Sequence, residues 1–430
     1  MKEIRETEPR RPNLWALSPL ILFLCLYVVT AVVAKDFYAV PITVAFATSS
    51  AFAIVMTKGI SLSQRIDQYS KGAGNSNIML MIWIFVMAGA FAQSAKSMGA
   101  VDATVQATLH LMPESMLLPG LFIAACFISL SIGTSVGTIV ALTPVAAGIA
   151  SQTGGDTAMV VAIVVGGAFF GDNLSFISDT TIVATQTMGC EMKDKFKANI
   201  FIVLPAAIAV LVYYSLFGGE LHSPASEGEI EWLKVLPYMA VLVTAIIGLN
   251  VMVVLAIGII LAGIVGISLG SYNAIGYMGS MGDGIIGMGE LIIVTMMAGG
   301  MLELIRFNGG ISYITSKLSK QVSGKRSGSL CIAALVMISD FCTANNTVAI
   351  VTVGPIAKQI ADKCGLTPKK AASILDTFSC FAQGLIPYGA QVLMASGLSQ
   401  VSSVDIISHL YYPFGVGICA TIACLMTKKP

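Results

Sequence analysis

Two aspartates stand inside a long apolar stretch of the chain, in the segment GDNLSFISDTT that begins at Gly171. Asp172 and Asp179 are accompanied there by hydroxyl and amide side chains, whose oxygens are the ligands that hard cations such as Na⁺ prefer. A charged side chain within a membrane is costly and usually marks a path for ions or protons. The segment therefore predicts a buried site for a cation or a proton.

The two acids are seven residues apart. If a helix resumes near them, both side chains project from roughly the same face, about two turns from each other. Burial in a low dielectric favours the protonated form of a carboxylic acid, so a proton and Na⁺ can compete for one site. Such competition is the minimal chemistry of antiport. Asp172 and Asp179 are therefore the candidate Na⁺ ligands.

Four polar interruptions of the apolar sequence carry the other candidates: SIGTSVGT from Ser131, GDNLSFISDTT from Gly171, DFCTANNT from Asp340, and FAQGLIPYGAQ from Phe381. Glycine and proline loosen a helix and free backbone groups that cannot stay unpaired in hydrocarbon. The cation- or proton-binding candidates beyond the two acids are Asn173, Ser175, Thr180, Thr181, Thr134, Ser135, Thr138, Asp340, Asn345 and Asn346.

Three residues of the last interruption are candidate substrate contacts: Gln383, Tyr388 and Gln391. Two of them, Gln383 and Gln391, match Asp172 and Thr180 in an internal repeat. The second copy of the repeat therefore keeps side chains that can hydrogen-bond but lacks the negative charge of Asp172. Elsewhere, Glu303 and Arg306 are three apart on a predicted helix, a spacing at which they can simply pair with each other.

Structural roles compete with chemical ones at several of these positions. Asp172 or Asn173 could cap a resumed half-helix, a common use of such residues. Asn345 and Asn346 could serve only as turn residues, because asparagine tolerates turn geometry. These alternatives stay open at the level of the sequence.

Composition identifies the class of protein. Of 430 residues, 56% are hydrophobic and 11% are charged, against roughly 25% charged in a soluble domain. The chain is therefore expected to be a polytopic membrane protein whose main partner is the lipid bilayer. A net charge of +1 offers no patch for nucleic acid, and three scattered histidines without a Cys-x-x-Cys pair argue against a structural zinc site. No cofactor is expected.

Twelve apolar runs follow one another along the chain. They cover about residues 14–34, 38–57, 77–96, 117–150, 157–188 and 198–217, then 232–248, 250–269, 290–306, 330–362, 370–398 and 406–427. The fourth and fifth runs of each set exceed the roughly 17 to 25 residues of a straight span, so each must be broken, folded back or strongly tilted. The first run is too long for the apolar core of a signal peptide.

The two sets of runs are copies of each other. The pattern MAGAFAQSAKSMGA from Met87 returns as MAGGMLELIRFNGG from Met297, and matched residues farther on are displaced by 211 positions. The matched residues are Pro144, Gly154, Leu174 and Ala184 with Pro355, Gly365, Leu385 and Ala395. Duplicated membrane halves with broken helices are typical of secondary transporters.

Lysine and arginine positions orient the chain, because cytoplasmic loops carry the positive excess. If the fourth run of each half is a re-entrant hairpin, all 24 of these residues except Lys35, Lys96 and Lys234 lie inside. The predicted fold is all-α, with ten transmembrane helices, two re-entrant hairpins and both termini cytoplasmic in the cell (inner) membrane. A cytoplasmic tail (1–13) precedes the first inverted repeat (14–217), and an extracytoplasmic acidic linker (218–231) precedes the second (232–430).

The segment GDNLSFISDTT resembles the GD-x-x-S-P-x-SDTT signature of the NhaC family of sodium/proton antiporters, within the wider ion transporter superfamily. The matching residues are Gly171, Asp172, Ser175, Ser178, Asp179, Thr180 and Thr181, while Phe176 replaces the usual proline. The resemblance implies exchange of Na⁺, or Li⁺, for H⁺ without ATP, carried mainly by the two aspartates. Some relatives of this family exchange organic acids or amino acids instead.

Rival functions follow from the same scaffold. In one, Na⁺ or H⁺ drives an amino acid or carboxylate, whose anionic group is received by half-helix N-termini with Asn345, Asn346 and Tyr388. A passive channel would not need inverted halves with distinct breaks. An enzyme is not expected, because the sequence has no Ser/His pair or His-Glu-x-x-His pattern. Pairing of protomers into a homodimer is left open.

Overall fold

The architecture comes from a computed structural model that describes residues 11–26, 41–175, 178–217, 230–319, 322 and 324–426. Within these residues the chain is helical and contains no strand. Most of the predicted tail (1–13), most of the predicted linker (218–231) and Phe176 lie outside the described residues.

The first half has a short 3₁₀ turn at Leu14–Leu17 and another at Glu114–Met116. Its helices are α1 (Ser18–Leu24), α2 (Ile42–Met56), α3 (Leu62–Ala73), α4 (Ser76–Ser97), α5 (Ala100–Leu111), α6 (Leu117–Ile132), α7 (Ser135–Thr153), α8 (Thr157–Leu174), α9 (Asp179–Met188) and α10 (Met192–Phe217).

The second half follows the same order. Its helices are α11 (Trp232–Ile246), α12 (Val251–Ser268), α13 (Ala274–Gly287), α14 (Gly289–Phe307), α15 (Gly310–Ser319), α16 (Lys325–Thr343), α17 (Asn346–Cys364), α18 (Pro368–Gln383), α19 (Ala390–Ser399), α20 (Ser403–Ser408) and α21 (Tyr411–Leu425). Helices α17 and α19 have the bounds of α7 and α9, displaced by 211 residues.

The long apolar runs are interrupted where the sequence predicts it. Helices α6 and α7 are separated by Gly133, which has φ of +74°, and by Thr134 in extended conformation. At the matching place between α16 and α17, Ala344 takes the left-handed conformation that usually requires glycine, with φ of +51°. The other two interruptions separate α8 from α9 and α18 from α19.

Seven segments in the described part of the chain are long and apolar enough to cross a bilayer, and five shorter apolar helices accompany them. Helices also form between the apolar runs, where the sequence predicts loops: α3, α5, α13 and α15. A capping box formed by Ser61 and Gln64 starts α3, and its Ser-x-x-Gln spacing is readable in the sequence.

Helix α8 lies at the centre of the protein. In the apolar segment Thr157–Met188, 94% of the most apolar window is buried, against 44% for α12. Helix α8 packs against α6 so closely that a Cβ at Gly167 would collide with Ala125 and the Phe122 carbonyl. Large apolar side chains of α10 and α12, such as Phe201 and Ile264, are exposed and form the surface that lipid can cover. The polar end of α8 is therefore held entirely by protein.

Candidate functional site

Asp172 lies near the end of α8, with 5% of its surface exposed. Its Oδ1 accepts a hydrogen bond of 3.1 Å from the backbone N–H of Ser135, the first residue of α7. The N-terminus of a helix carries partial positive charge, so this position favours an anion. Asp172 does not cap the helix that resumes after the break, because Ser178 does so by accepting from the Thr181 N–H.

Asp179 is the first residue of α9, on the other side of the break, and its side chain is exposed. The helix ends at Leu174, so the two acids do not share one helical face as the spacing of seven residues suggests for a resumed helix. They come together for another reason: both line one cavity. The interruption brings them together, and helical periodicity does not.

That cavity has a volume of about 120 Å³. All four polar interruptions of the sequence contribute to its wall, and α4 closes it. The lining residues are Leu80, Met81, Ile84, Gly133, Thr134, Ser135, Val136, Asp172, Asp179, Thr180, Asn345, Asn346, Thr347, Ala390 and Gln391. The volume corresponds to on the order of four water molecules and is below the roughly 300 Å³ at which organic-ligand pockets begin. Its size and its oxygen-rich wall suit a small hard cation.

A chain of amide side chains joins the two halves beneath this cavity. Gln391 donates from Nε2 to the Ser135 hydroxyl at 3.0 Å, and that serine hydrogen-bonds the Asp172 carboxylate. Gln383 donates to Gln391 Oε1 at 2.8 Å and to the carbonyl of Ala344 at 3.1 Å. The predicted retention of hydrogen bonding at Gln383 and Gln391 is confirmed. Asp172 is thereby connected to the α16–α17 link of the other half.

Replacing Gln391 by Ala should destabilise the protein by about 1–3 kcal/mol, because two buried hydrogen bonds are lost and a buried hydroxyl loses a partner. Thermal unfolding in detergent measures the change. Gln359→Ala, on the exposed side of α17, is the matched control and should leave the midpoint within error. Equal midpoints for both variants would contradict a structural role of the amide chain.

Asn345 and Asn346 have both structural and cavity roles. Asn345 caps α17 by accepting from the Val348 N–H at 2.9 Å in an extended conformation, and Ala344 takes the left-handed turn conformation before it. Both asparagines also line the cavity. Glu303 and Arg306 form the predicted pair at 3.4 Å, and Glu303 accepts a second hydrogen bond from Gln68 at 2.7 Å.

Several candidates lie outside the cavity wall. Asn173, Ser175 and Thr181 are buried behind it at the break, and the Thr138 hydroxyl turns back to the Thr134 carbonyl at 3.3 Å. Tyr388 donates to the Phe341 carbonyl at 2.7 Å and lines a neighbouring cavity. Of the three proposed substrate contacts, only Gln391 reaches the cavity of the two acids.

Asp340, near the end of α16, is fully buried, and neither carboxylate oxygen has a hydrogen-bond partner among the described residues. It does not line the cavity of Asp172 and Asp179. An unpaired carboxylate is very costly in such an environment, whereas a neutral carboxylic acid costs far less. The geometry therefore suits a proton on Asp340 better than Na⁺.

Four buried residues around Asn173 were not among the sequence candidates: Lys195, Asn199, Asp376 and Tyr412. Lys195 is predicted to lie in a cytoplasmic loop. Its side chain is instead 1% exposed, and its Nζ pairs with Asp376 Oδ2 at 3.0 Å. Asp376 could have been predicted from the sequence, since it is an acid within the apolar run 370–398. Burial of Lys195 could not have been predicted, because it lies between the exposed Lys193 and Lys197.

Two larger cavities flank the site. One of about 240 Å³ is lined by Gly72, Asn75, Glu303 and Arg306, and it shares Met81, Asn345 and Ala390 with the cavity of the two acids. The other, of about 530 Å³, is lined by polar residues such as Lys96, Asp102 and Asp283, and shares no lining residue with that site. The site therefore shares part of its wall with the first of these cavities and none with the second.

Comparisons with known proteins identify the family of the chain. The model of a family described as "Na+/H+ antiporter family" matches residues 13–219 and 228–427. The chain is 24% identical to the Na(+)/H(+) antiporter NhaC of Bacillus subtilis (strain 168), over 82% of this chain and 84% of that protein. It is 20% identical to the Malate-2H(+)/Na(+)-lactate antiporter of the same organism, over 88% of both. Among solved structures, the YdaH transporter of Alcanivorax borkumensis gives a TM-score of 0.44 at 11% identity, covering 94% of this chain and 97% of that one.

Proposed function

The chain belongs to the Na⁺/H⁺ antiporter family, and we propose that it exchanges Na⁺ for H⁺ by competition of the two ions at Asp172 and Asp179. The resemblance of GDNLSFISDTT to the NhaC family is confirmed by the family match and by the NhaC relative. The observation that carries the proposal is the small cavity in which both carboxylates meet hydroxyl and amide oxygens from all four interruptions.

The competition follows from the charge of the site. When Na⁺ is bound, both carboxylates can remain ionised, because the cation compensates them. When Na⁺ leaves, two nearby negative charges in a confined cavity repel each other, and protonation of one relieves the repulsion. Burial favours the neutral form of Asp172, whereas the Ser135 N–H supports its ionised form, so either acid can take the proton when Na⁺ leaves. Thr134, Ser135 and Thr180 supply further oxygens to Na⁺.

The two halves are proposed to be inverted copies, giving ten spans and two re-entrant hairpins with both termini in the cytoplasm. The recurrence of helix bounds after 211 residues supports the duplication. In this orientation Gly72, Asn75 and Arg306 are cytoplasmic, whereas Lys96, Asp102 and Asp283 are external. The cavity next to the site then lies on the cytoplasmic side and is the proposed cytoplasmic entrance.

A second candidate is coupled transport of a small carboxylate. The relative named Malate-2H(+)/Na(+)-lactate antiporter favours it, and so does the adjoining 240 Å³ cavity, where Asn345 and Tyr388 face the same space as Arg306. The 120 Å³ cavity at the acids favours the ion alone. The transported compound is therefore identified by measuring which compounds drive proton movement across the membrane.

The test uses proteoliposomes that contain the full-length protein and a pH-sensitive dye. Addition of Na⁺ should dissipate an imposed pH gradient with saturation, Li⁺ should act similarly, and choline should have no effect. Malate, lactate and amino acids are added separately at fixed Na⁺. Proton movement that requires one of these compounds would replace ion exchange by the second candidate.

Asp179→Asn should lower Na⁺/H⁺ exchange by at least about tenfold, because the amide cannot carry the exchanged proton and loses its charge-assisted contact with Na⁺, worth about 1.5–3 kcal/mol. Everted membrane vesicles provide the measurement. Asp67→Asn removes an exposed carboxylate from α3 and should retain exchange. Full activity of Asp179→Asn would refute the assignment of this acid.

A further inference from the structure

We propose that the ammonium group of Lys195 is a permanent internal cation, which fills an oxygen cage at the broken end of α8 and thereby positions Asp172. Lys195 lies in the first turn of α10, and its Nζ is 3.0 Å from Asp376 Oδ2. Nζ also donates to the Asn173 carbonyl at 2.8 Å and to the Thr181 hydroxyl at 2.5 Å. An ammonium has three N–H donors, and here each has an oxygen acceptor.

The end of α8 needs such a cation. The last carbonyl groups of a helix lack partners within the helix and carry partial negative charge. In α8 the Asp172 carbonyl accepts from the Ser178 hydroxyl at 2.9 Å, and the Asn173 carbonyl accepts from Lys195 and from Asn199, both at 2.8 Å. The protein's own donors therefore occupy the carbonyls that a broken helix would otherwise offer to a transported ion.

Asp376 compensates the charge of the ammonium from the other half of the chain. This residue of α18 is fully buried, and its Oδ2 accepts from Asn199 at 2.7 Å and from Asn173 at 3.2 Å in addition to pairing with Lys195. Tyr412 completes the cluster by donating to Asn173 Oδ1 at 3.1 Å. A buried charge pair persists only with such surrounding hydrogen bonds.

Asn173 connects this cluster to the cavity, because it follows Asp172 directly. Its side chain and its carbonyl are both fixed by the cluster, on the face of the break that points away from the cavity. Thr181, which shares the ammonium, follows Thr180 of the cavity wall. Lys195 thus holds both sides of the interruption and acts on the ions only through the backbone of Asp172 and Thr180. It is a positioning residue.

The inference rests on the proposed exchange function for its effect on transport, but the cage itself can be tested without transport. In Lys195→Ala the missing atoms correspond to a propylammonium ion, so this amine should bind the variant. Thermal unfolding of the purified full-length protein in detergent is measured with propylammonium, tetramethylammonium and NaCl at equal ionic strength. Propylammonium alone should raise the midpoint of Lys195→Ala, and no salt should act selectively on Lys197→Ala, an exposed neighbour.

Exchange in proteoliposomes is measured on the same variants. Lys195→Ala should lose at least about 90% of the wild-type rate, propylammonium should restore it at least severalfold, and Lys197→Ala should match wild type. No selective stabilisation by propylammonium, or full exchange by Lys195→Ala without amine, would overturn the proposal. Absence of exchange in wild type, together with selective stabilisation, would contradict the proposed function and leave the cage supported.

A second variant covers the case in which Lys195→Ala does not fold. Lys195→Met/Asp376→Asn removes both charges and retains the side-chain volume, so it should fold. It should exchange more slowly than wild type with an unchanged number of protons per Na⁺. A changed ratio would mean that Lys195 itself carries a transported proton, which would overturn its assignment as a permanent cation.

Discussion

Asp172→Asn is expected to reduce Na⁺/H⁺ exchange by about 100-fold while the protein remains folded. Asparagine can still accept the hydrogen bond from the Ser135 N–H through its side-chain oxygen, so the link between α8 and α7 is retained. The change removes only the negative charge, and loss of a charge-assisted contact of about 3 kcal/mol corresponds to roughly 100-fold. Exchange is measured in proteoliposomes over a series of Na⁺ concentrations.

The control for this variant is Asp362→Asn, which neutralises an exposed acid of α17. Its rate should equal the wild-type rate, and the unfolding midpoints of both variants should lie near that of wild type. A loss of exchange accompanied by a large fall in the midpoint would assign Asp172 to folding and would contradict its role as an ion ligand.

Asp340→Leu is expected to raise stability and to lower exchange. Both oxygens of Asp340 are buried without a hydrogen-bond partner in the described part of the chain, so an apolar side chain of similar size removes a desolvation cost of about 1–3 kcal/mol. Exchange should fall at least about tenfold if this acid holds a proton during the cycle. Thermal unfolding in detergent and the dye assay measure the two effects on one preparation.

Ser339→Ala is the matched variant, because Ser339 is also buried and its hydroxyl has no hydrogen-bond partner among the residues that the structure describes. It should gain some stability and keep its exchange activity. A lower midpoint for Asp340→Leu would show that the carboxyl group has a stabilising partner, such as an ion or a water molecule. Retained exchange would remove Asp340 from the set of proton-binding residues.

The elements of the site were readable from the sequence because polar residues and glycine contrast with an apolar background. Glycine at position 133 and the sequence around Asn345 and Asn346 marked the links between helices, and the structure places all four interruptions around one cavity. The repeat of 211 residues also fixed the bounds of matching helices. The contrast between polar residues and their apolar neighbours is a local property of the sequence, so a single sequence is enough to locate the interruptions.

The geometry between the interruptions was not readable in the same way. The spacing of Asp172 and Asp179 suggested one helical face, but α8 ends at Leu174 and α9 begins only at Asp179. The Lys195–Asp376 pair is a tertiary contact, and the neighbouring bond from Asn199 to Asp376 joins residues 177 positions apart. A lysine between two exposed lysines shows no local sign of burial, since only packing of α10 against α18 removes it from water.

The central position of α8 has a consequence for the lipid dependence of the protein. Differences in bilayer thickness act on helices that touch lipid tails, which respond by tilting. Helix α8 is enclosed by other helices, and its carboxylate end is tied to both halves. Hydrophobic mismatch is therefore absorbed at the periphery by helices such as α12, whereas the separation of the two acids is set by protein contacts and stays constant from one membrane to another.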